Sequence, residues 1–164
     1  MNKLSIGQMI AVGAALLVLL SFFFPWIEIN MLLAATNFSG FQLASGIGPA
    51  GGNFPGVPTL FLVPLSMVGV LVLAAICLAG QGSAAQLKNM AAILILVAGG
   101  ISTLVILYHY FNLNQQFNQN VVGMIAQKMF SYSFGAHGSL AGSLVVVGGG
   151  LLDLILGKKP TPSG

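Results

Sequence analysis

Four side chains in this sequence could carry proton or ligand chemistry: Glu28, His109, His137 and Asp153. Asp153 stands in an apolar stretch, and an acid inside a membrane span is a functional candidate by default. It lies five residues before Lys158, however. An interfacial ion pair with Lys158, Lys159 or Lys3 is therefore the stronger expectation, and a proton or ion role the weaker. His109, between Tyr108 and Tyr110, and His137 are the only two imidazoles. Facing imidazoles at one depth would ligate a haem, a chlorophyll-type pigment or a metal. No third ligand cluster and no Cys-x-x-Cys-His accompanies them, and histidines beside tyrosines more often hydrogen-bond at headgroup level. Glu28 has no second carboxylate near it, so it is expected to be a solvated or Lys128-paired residue rather than an acid catalyst. There is no Walker loop, no Gly-x-Ser-x-Gly and no His-Glu-x-x-His. The expectation is a protein that is not an enzyme.

The elements that must position these groups are set by composition. Hydrophobic residues make up 57% of the chain and charged residues 4%, against roughly 25% charged in a soluble domain. This is a membrane protein. Four stretches reach the roughly 20 apolar residues that a helix needs to cross a bilayer: about 6–24, 59–80, 90–111 and 134–156. Backbone groups in lipid must be satisfied within the segment, so the spans are helices and the fold is all-α: one four-helix membrane domain over 1–164.

Lysine placement orients the chain. With a cytoplasmic N-terminus, Lys3, Lys88, Lys158 and Lys159 lie inside and only Lys128 outside, in accord with the positive-inside rule. Both termini are expected in the cytoplasm, the location being the plasma (inner) membrane. The first stretch is read as a retained helix rather than a secretory signal, because its apolar run is long and no small-residue cleavage site follows. Clustered arginine and lysine are missing, so no nucleic-acid partner is expected. Cys77, the single cysteine, can form no disulfide within the chain.

The two outer loops, 25–58 and 112–133, are expected to form a small cap. In the first, Ile27, Ile29, Met31 and Leu33 alternate with Trp26, Glu28, Asn30 and Leu32, the period of a strand. Pro25 ends the first helix, and Trp26, Tyr108 and Tyr110 are expected as interface anchors. Residues 46–58, Gly-Ile-Gly-Pro-Ala-Gly-Gly-Asn-Phe-Pro-Gly-Val-Pro, should form an irregular connection, with Pro64 kinking the second helix. In the second loop Leu113, Phe117, Val121, Met124, Ile125 and Met129 recur at helical spacing. That predicts an amphipathic helix, either prolonging the third span or lying in the interface. Along the fourth span, Gly135, Gly138, Gly142, Gly149 and Asp153 share a narrow sector, with Ser139 at its edge. The first span offers Gly7, Ala11 and Ala15. Packing within one bundle is favoured over packing between subunits.

The stretches Ser-Phe-Phe-Phe-Pro-Trp (21–26), Ser-Gly-Phe-Gln-Leu-Ala-Ser-Gly (39–46), Leu-Phe-Leu-Val-Pro-Leu (60–65) and the glycine-rich 135–152 resemble those of small bacterial four-helix membrane proteins without assigned function. The layout is also similar to that of the claudin-like tetraspan proteins: cytoplasmic termini and a larger first outer loop carrying a tryptophan. Claudins add a Gly-Leu-Trp motif and two loop cysteines, which this sequence lacks, so that resemblance is one of topology. Neither resemblance implies catalytic or binding residues. What remains is a structural or accessory subunit that meets the bilayer, other membrane subunits or its own copies through small-residue faces and the cap. The alternative is a cofactor-binding or small ion-conducting subunit built on His109, His137 and Asp153.

Overall fold

In the computed structural model, residues 4–31, 34–48, 51–79, 84–118 and 130–157 are described. The elements run α1 (Ile6–Phe23), β1 (Pro25–Met31), β2 (Ala34–Ser39), α2 (Gly40–Ser45), a 3-10 turn (Pro58–Phe61), α3 (Leu62–Ala79), α4 (Ala84–Asn118), β3 (Phe130–Tyr132) and α5 (Phe134–Gly157). Four helices are long and apolar enough to cross a membrane: Ile6–Phe23, Pro58–Ala79, Met90–Asn112 and Phe134–Leu156. Their exposed faces carry leucine, isoleucine, valine and phenylalanine, among them Leu20, Leu65, Leu104 and Ile155. Such faces suit lipid as solvent.

Local chemistry fixes the ends of these helices. Ser5 caps α1 by accepting from the Gln8 amide at 3.1 Å, while the Ser5 amide donates to Gln8 Oε1 at 3.3 Å. This reciprocal box satisfies two amides that the first turn leaves unpaired. At the other end Pro25 cannot continue the helix, and the Phe24 amide donates to the Ser21 carbonyl. Pro64, where a kink was expected, falls close to the start of its helix. Residues 58–61 form a 3-10 turn and the α-helix starts at Leu62, so Pro64 sits in a first turn, where its missing amide is tolerated.

α5 lies between α1 and α4 and touches both through glycines. A Cβ built on Gly149 would lie 2.7 Å from the Gly7 carbonyl, and one on Gly142 would lie 2.5 Å from Val18 Cγ2. On the side toward α4, a Cβ on Gly150 would meet the Leu96 amide at 2.9 Å, and one on Gly99 the Val147 amide at 2.9 Å. Helices in lipid gain little from hydrophobic association, so close backbone approach and dispersion carry the contact. The small-residue sector of α5 is taken up by α1 and the start of β1 of the same chain: Gly138 meets Ser21 of α1, and Gly135 meets Trp26 and the Pro25 carbonyl of β1.

The cap is built on the α1 end. β1 is central in an antiparallel sheet of order β2-β1-β3, with Glu28 opposite Asn37 on one side and Ser131 on the other. The alternation seen around Ile27 and Ile29 is thus a strand, and a hairpin with β2 completes most of the sheet. α2 follows directly. Ser39 and Gln42 form a second capping box, and Gly46, at φ 76°, closes the helix in the left-handed conformation that glycine adopts without strain. α4 runs 35 residues, about 52 Å at 1.5 Å per residue, longer than a bilayer core needs. It carries the third span beyond its expected end as far as Asn118. The rest of the expected amphipathic stretch, 119–129 with Lys128, lies outside the described residues.

Candidate functional site

Polar side chains of the bundle gather at three places, two of which hold groups singled out in the sequence, Asp153 and His109. At the end of the bundle away from the cap, Asp153 Oδ2 accepts a hydrogen bond from Gln8 Nε2 at 3.0 Å. Gln8 is 6% exposed, so this bond satisfies an amide that water scarcely reaches. An ion pair was expected for Asp153, but Lys3, Lys158 and Lys159 are not among the described residues, and the partner visible there is Gln8. At mid-bundle, Ser102 and Ser143 have hydroxyls 2.7 Å apart, Ser143 lies 2.8 Å from the Ser139 carbonyl, and Thr103 donates to the Gly99 carbonyl at 2.8 Å. Ser102, Ser139 and Ser143 are fully buried.

The third place is a cleft of about 400 Å³ where the cap meets the helix ends. β1 supplies Trp26 and Ile27 to it. α2 and the connection after it supply Leu43 and Val57, the 3-10 turn Thr59 and Leu60, α4 the run Tyr108 to Tyr110, and β3 Tyr132. Its polar centre is Thr59 Oγ1 against His109 Nε2 at 2.8 Å, with the direction of donation set by the imidazole tautomer. Tyr110 and Tyr132 stack with ring centroids 4.1 Å apart, and the Tyr132 hydroxyl donates to the Tyr110 carbonyl at 3.2 Å. Burial, followed by the neighbouring Tyr110, pushes Tyr132 from 10.0 up to about 12. Among the lining residues there is no aspartate, glutamate, lysine or arginine.

His109 lines this cleft, and His137 does not. His137 is exposed on α5, with Nδ1 3.0 Å from the Ser133 carbonyl of its own helix start. Glu28 is half-buried in the centre of the sheet. No group of three or more histidine, cysteine or acidic side chains that could hold a metal occurs among the described residues.

Trp26 corrects an expectation. Placed in the sequence as an amphipathic anchor in the headgroup layer, it is 4% exposed. Its indole nitrogen donates to the Ser21 carbonyl at 3.0 Å, and its ring meets the edge of Phe22 at a centroid distance of 5.8 Å. A buried indole needs an acceptor, and the Ser21 carbonyl, which also takes the Phe24 amide, has a second lone pair to offer, so the ring folds back instead of facing lipid. Tyr110 likewise is half-buried on Tyr132, while Tyr108 stays 64% exposed.

Thr59 was not singled out as a site residue, and a lone threonine beside Pro58 carries no signal of a partner 50 residues away. Gln8 was missed too, although Ser5-Ile6-Gly7-Gln8 reads as a capping box. No protein-family model matches the chain, and no curated protein matches it.

Proposed function

We propose that this chain is a structural or accessory subunit of a larger membrane complex, without catalysis of its own. The distribution of the lysines supports a plasma-membrane topology with both termini in the cytoplasm and the cap outside. The observation that carries the reading is how the polar side chains of the spans are used. Gln8 joins Asp153 across α1 and α5, Ser102 joins Ser143 across α4 and α5, and Thr59 joins His109. These groups hold helices to one another, and α1 covers the glycine strip of α5. The cap is the surface left for a neighbouring protein.

A haem or pigment held by His109 and His137 is less favoured. One ring is engaged by Thr59 and the other by the Ser133 carbonyl, and only His109 borders the cleft.

The test is purification in mild detergent with a photoreactive residue at Asn30 in the cap, which is exposed, and a control at Leu20 on the lipid-facing side of α1. The expected result is a stoichiometric larger assembly, cross-linked from position 30 and not from position 20. A monodisperse lone protein with no cross-link at position 30 overturns the proposal.

A further inference from the structure

We propose that the cleft under the cap binds an uncharged, membrane-borne molecule with a carbonyl-bearing planar ring, of the quinone class. Its volume, about 400 Å³, lies in the range of small-molecule sites, which are mostly apolar with a few placed polar groups. Trp26, Ile27, Leu43, Leu60 and Ile106 supply the apolar walls.

The polar groups define the head. The Thr59–His109 pair has one donor left over in either tautomer. If His109 Nε2 carries the proton, the Thr59 hydroxyl hydrogen is free; if Nδ1 carries it, Thr59 donates to Nε2 and the Nδ1 hydrogen is free. Tyr110 and Asn112 border the same space, and neither side chain makes a hydrogen bond among the described residues. A ligand that accepts hydrogen bonds is therefore favoured, and a bare acyl chain would leave these donors unmatched. With no aspartate, glutamate, lysine or arginine among the described lining residues, a charged headgroup would find no full counter-charge there. Trp26, Tyr108, His109, Tyr110 and Tyr132 present aromatic rings around the space, which favours a planar ring over a flexible ester.

Position names the source. Thr59 opens the Pro58–Ala79 span and His109 closes the Met90–Asn112 span. The cleft thus sits where hydrocarbon gives way to headgroups, the level at which a ring on an apolar tail partitions from the bilayer.

The only tryptophan of the chain, Trp26, borders the cleft and makes the test direct. The purified protein in detergent is titrated with decylubiquinone, which quenches tryptophan emission, alone and against equimolar dioctanoylglycerol or dodecyl phosphate. The expected result is saturable quenching that neither competitor displaces. Thr59→Val should weaken binding roughly fivefold, about one neutral hydrogen bond, because it removes either the free donor itself or the contact that orients the His109 donor, and Thr59→Ser should restore it. Val57→Phe should abolish saturation by filling the space. Quenching that rises linearly and is the same in Thr59→Val as in Thr59→Ser reports quinone dissolved in the micelle and overturns the proposal. Equal displacement by dioctanoylglycerol overturns the planar ring, and displacement by dodecyl phosphate overturns the uncharged head. If Val57→Phe does not fold, the Thr59 pair decides.

Discussion

Gln8 and Asp153 meet at 3.0 Å, although 145 residues separate them, and so tie the first turn of α1 to the far end of α5. The acid acts here as an acceptor for a buried amide. Asp153→Asn keeps an acceptor oxygen and should cost less than about 1 kcal/mol, whereas Asp153→Ala strands the Gln8 amide and should cost about 1–3 kcal/mol. Thermal unfolding in detergent, followed by Trp26 emission, distinguishes the two. A loss in Asp153→Asn as large as in Asp153→Ala would mean that the charge, not the acceptor, matters.

The glycines of α5 should be unequal. Gly142 leaves no room for a side chain beside Val18, and Gly149 faces the Gly7 carbonyl, while a Cβ on Gly148 would meet nothing within 4 Å. Gly142→Val and Gly149→Leu force α1 and α5 apart and should cost at least about 1–3 kcal/mol. Gly148→Ala should be neutral or stabilising by about 0.5–1 kcal/mol through helix propensity. Comparing melting temperatures of the three variants checks the ranking.

That ranking marks the boundary of what the sequence discloses. Hydropathy alone delimits the spans, because lipid demands an apolar stretch of set length, and each of the four helices falls within a few residues of its expected place. The alternation around Ile27 discloses β1. β3 has three residues, too few to show a period, and α2 has six, legible only through Ser39, Gln42 and Gly46. Which helix covers which face is a different matter. Wheel geometry groups Gly142 and Gly149, but gives no sign that Gly150, one residue on, faces α4. The Thr59–His109 pair and the inward turn of Trp26 depend on helix rotation and on the cap being in place. Neither is a local property of the chain.

Tyr132 gives a pH dependence. Its hydroxyl is raised from 10.0 to about 12 in the fold, so between those values the folded state holds a proton that the unfolded state has released. Its contribution to stability is complete below pH 10 and is lost as pH rises through about 12. Absorbance at 295 nm should show one of the three tyrosines ionising near pH 12, and Tyr132→Phe should remove that step. Titration of all three together near 10 would place Tyr132 in water.

The serine cluster at mid-bundle allows a directional prediction from proton counting. Ser143 has one hydroxyl hydrogen, which it donates to the Ser139 carbonyl, so Ser102 must be the donor in the Ser102–Ser143 bond. Ser102→Ala therefore removes a donor and leaves Ser143 still satisfied, and should cost only about 0.6 kcal/mol, the average for interhelical bonds in lipid. Ser143→Ala leaves the buried Ser102 hydroxyl without its acceptor and should cost more, about 1–3 kcal/mol. Ser139 differs again, because its hydroxyl is buried with no partner among the described residues. Ser139→Ala removes an unsatisfied polar atom and should leave stability unchanged or raise it. The expected order of stability is Ser139→Ala, then Ser102→Ala, then Ser143→Ala, measured by thermal unfolding of the three in one detergent. If Ser143→Ala proves no more damaging than Ser102→Ala, the Ser102 hydroxyl does not depend on Ser143 as its acceptor, and the assigned direction is wrong.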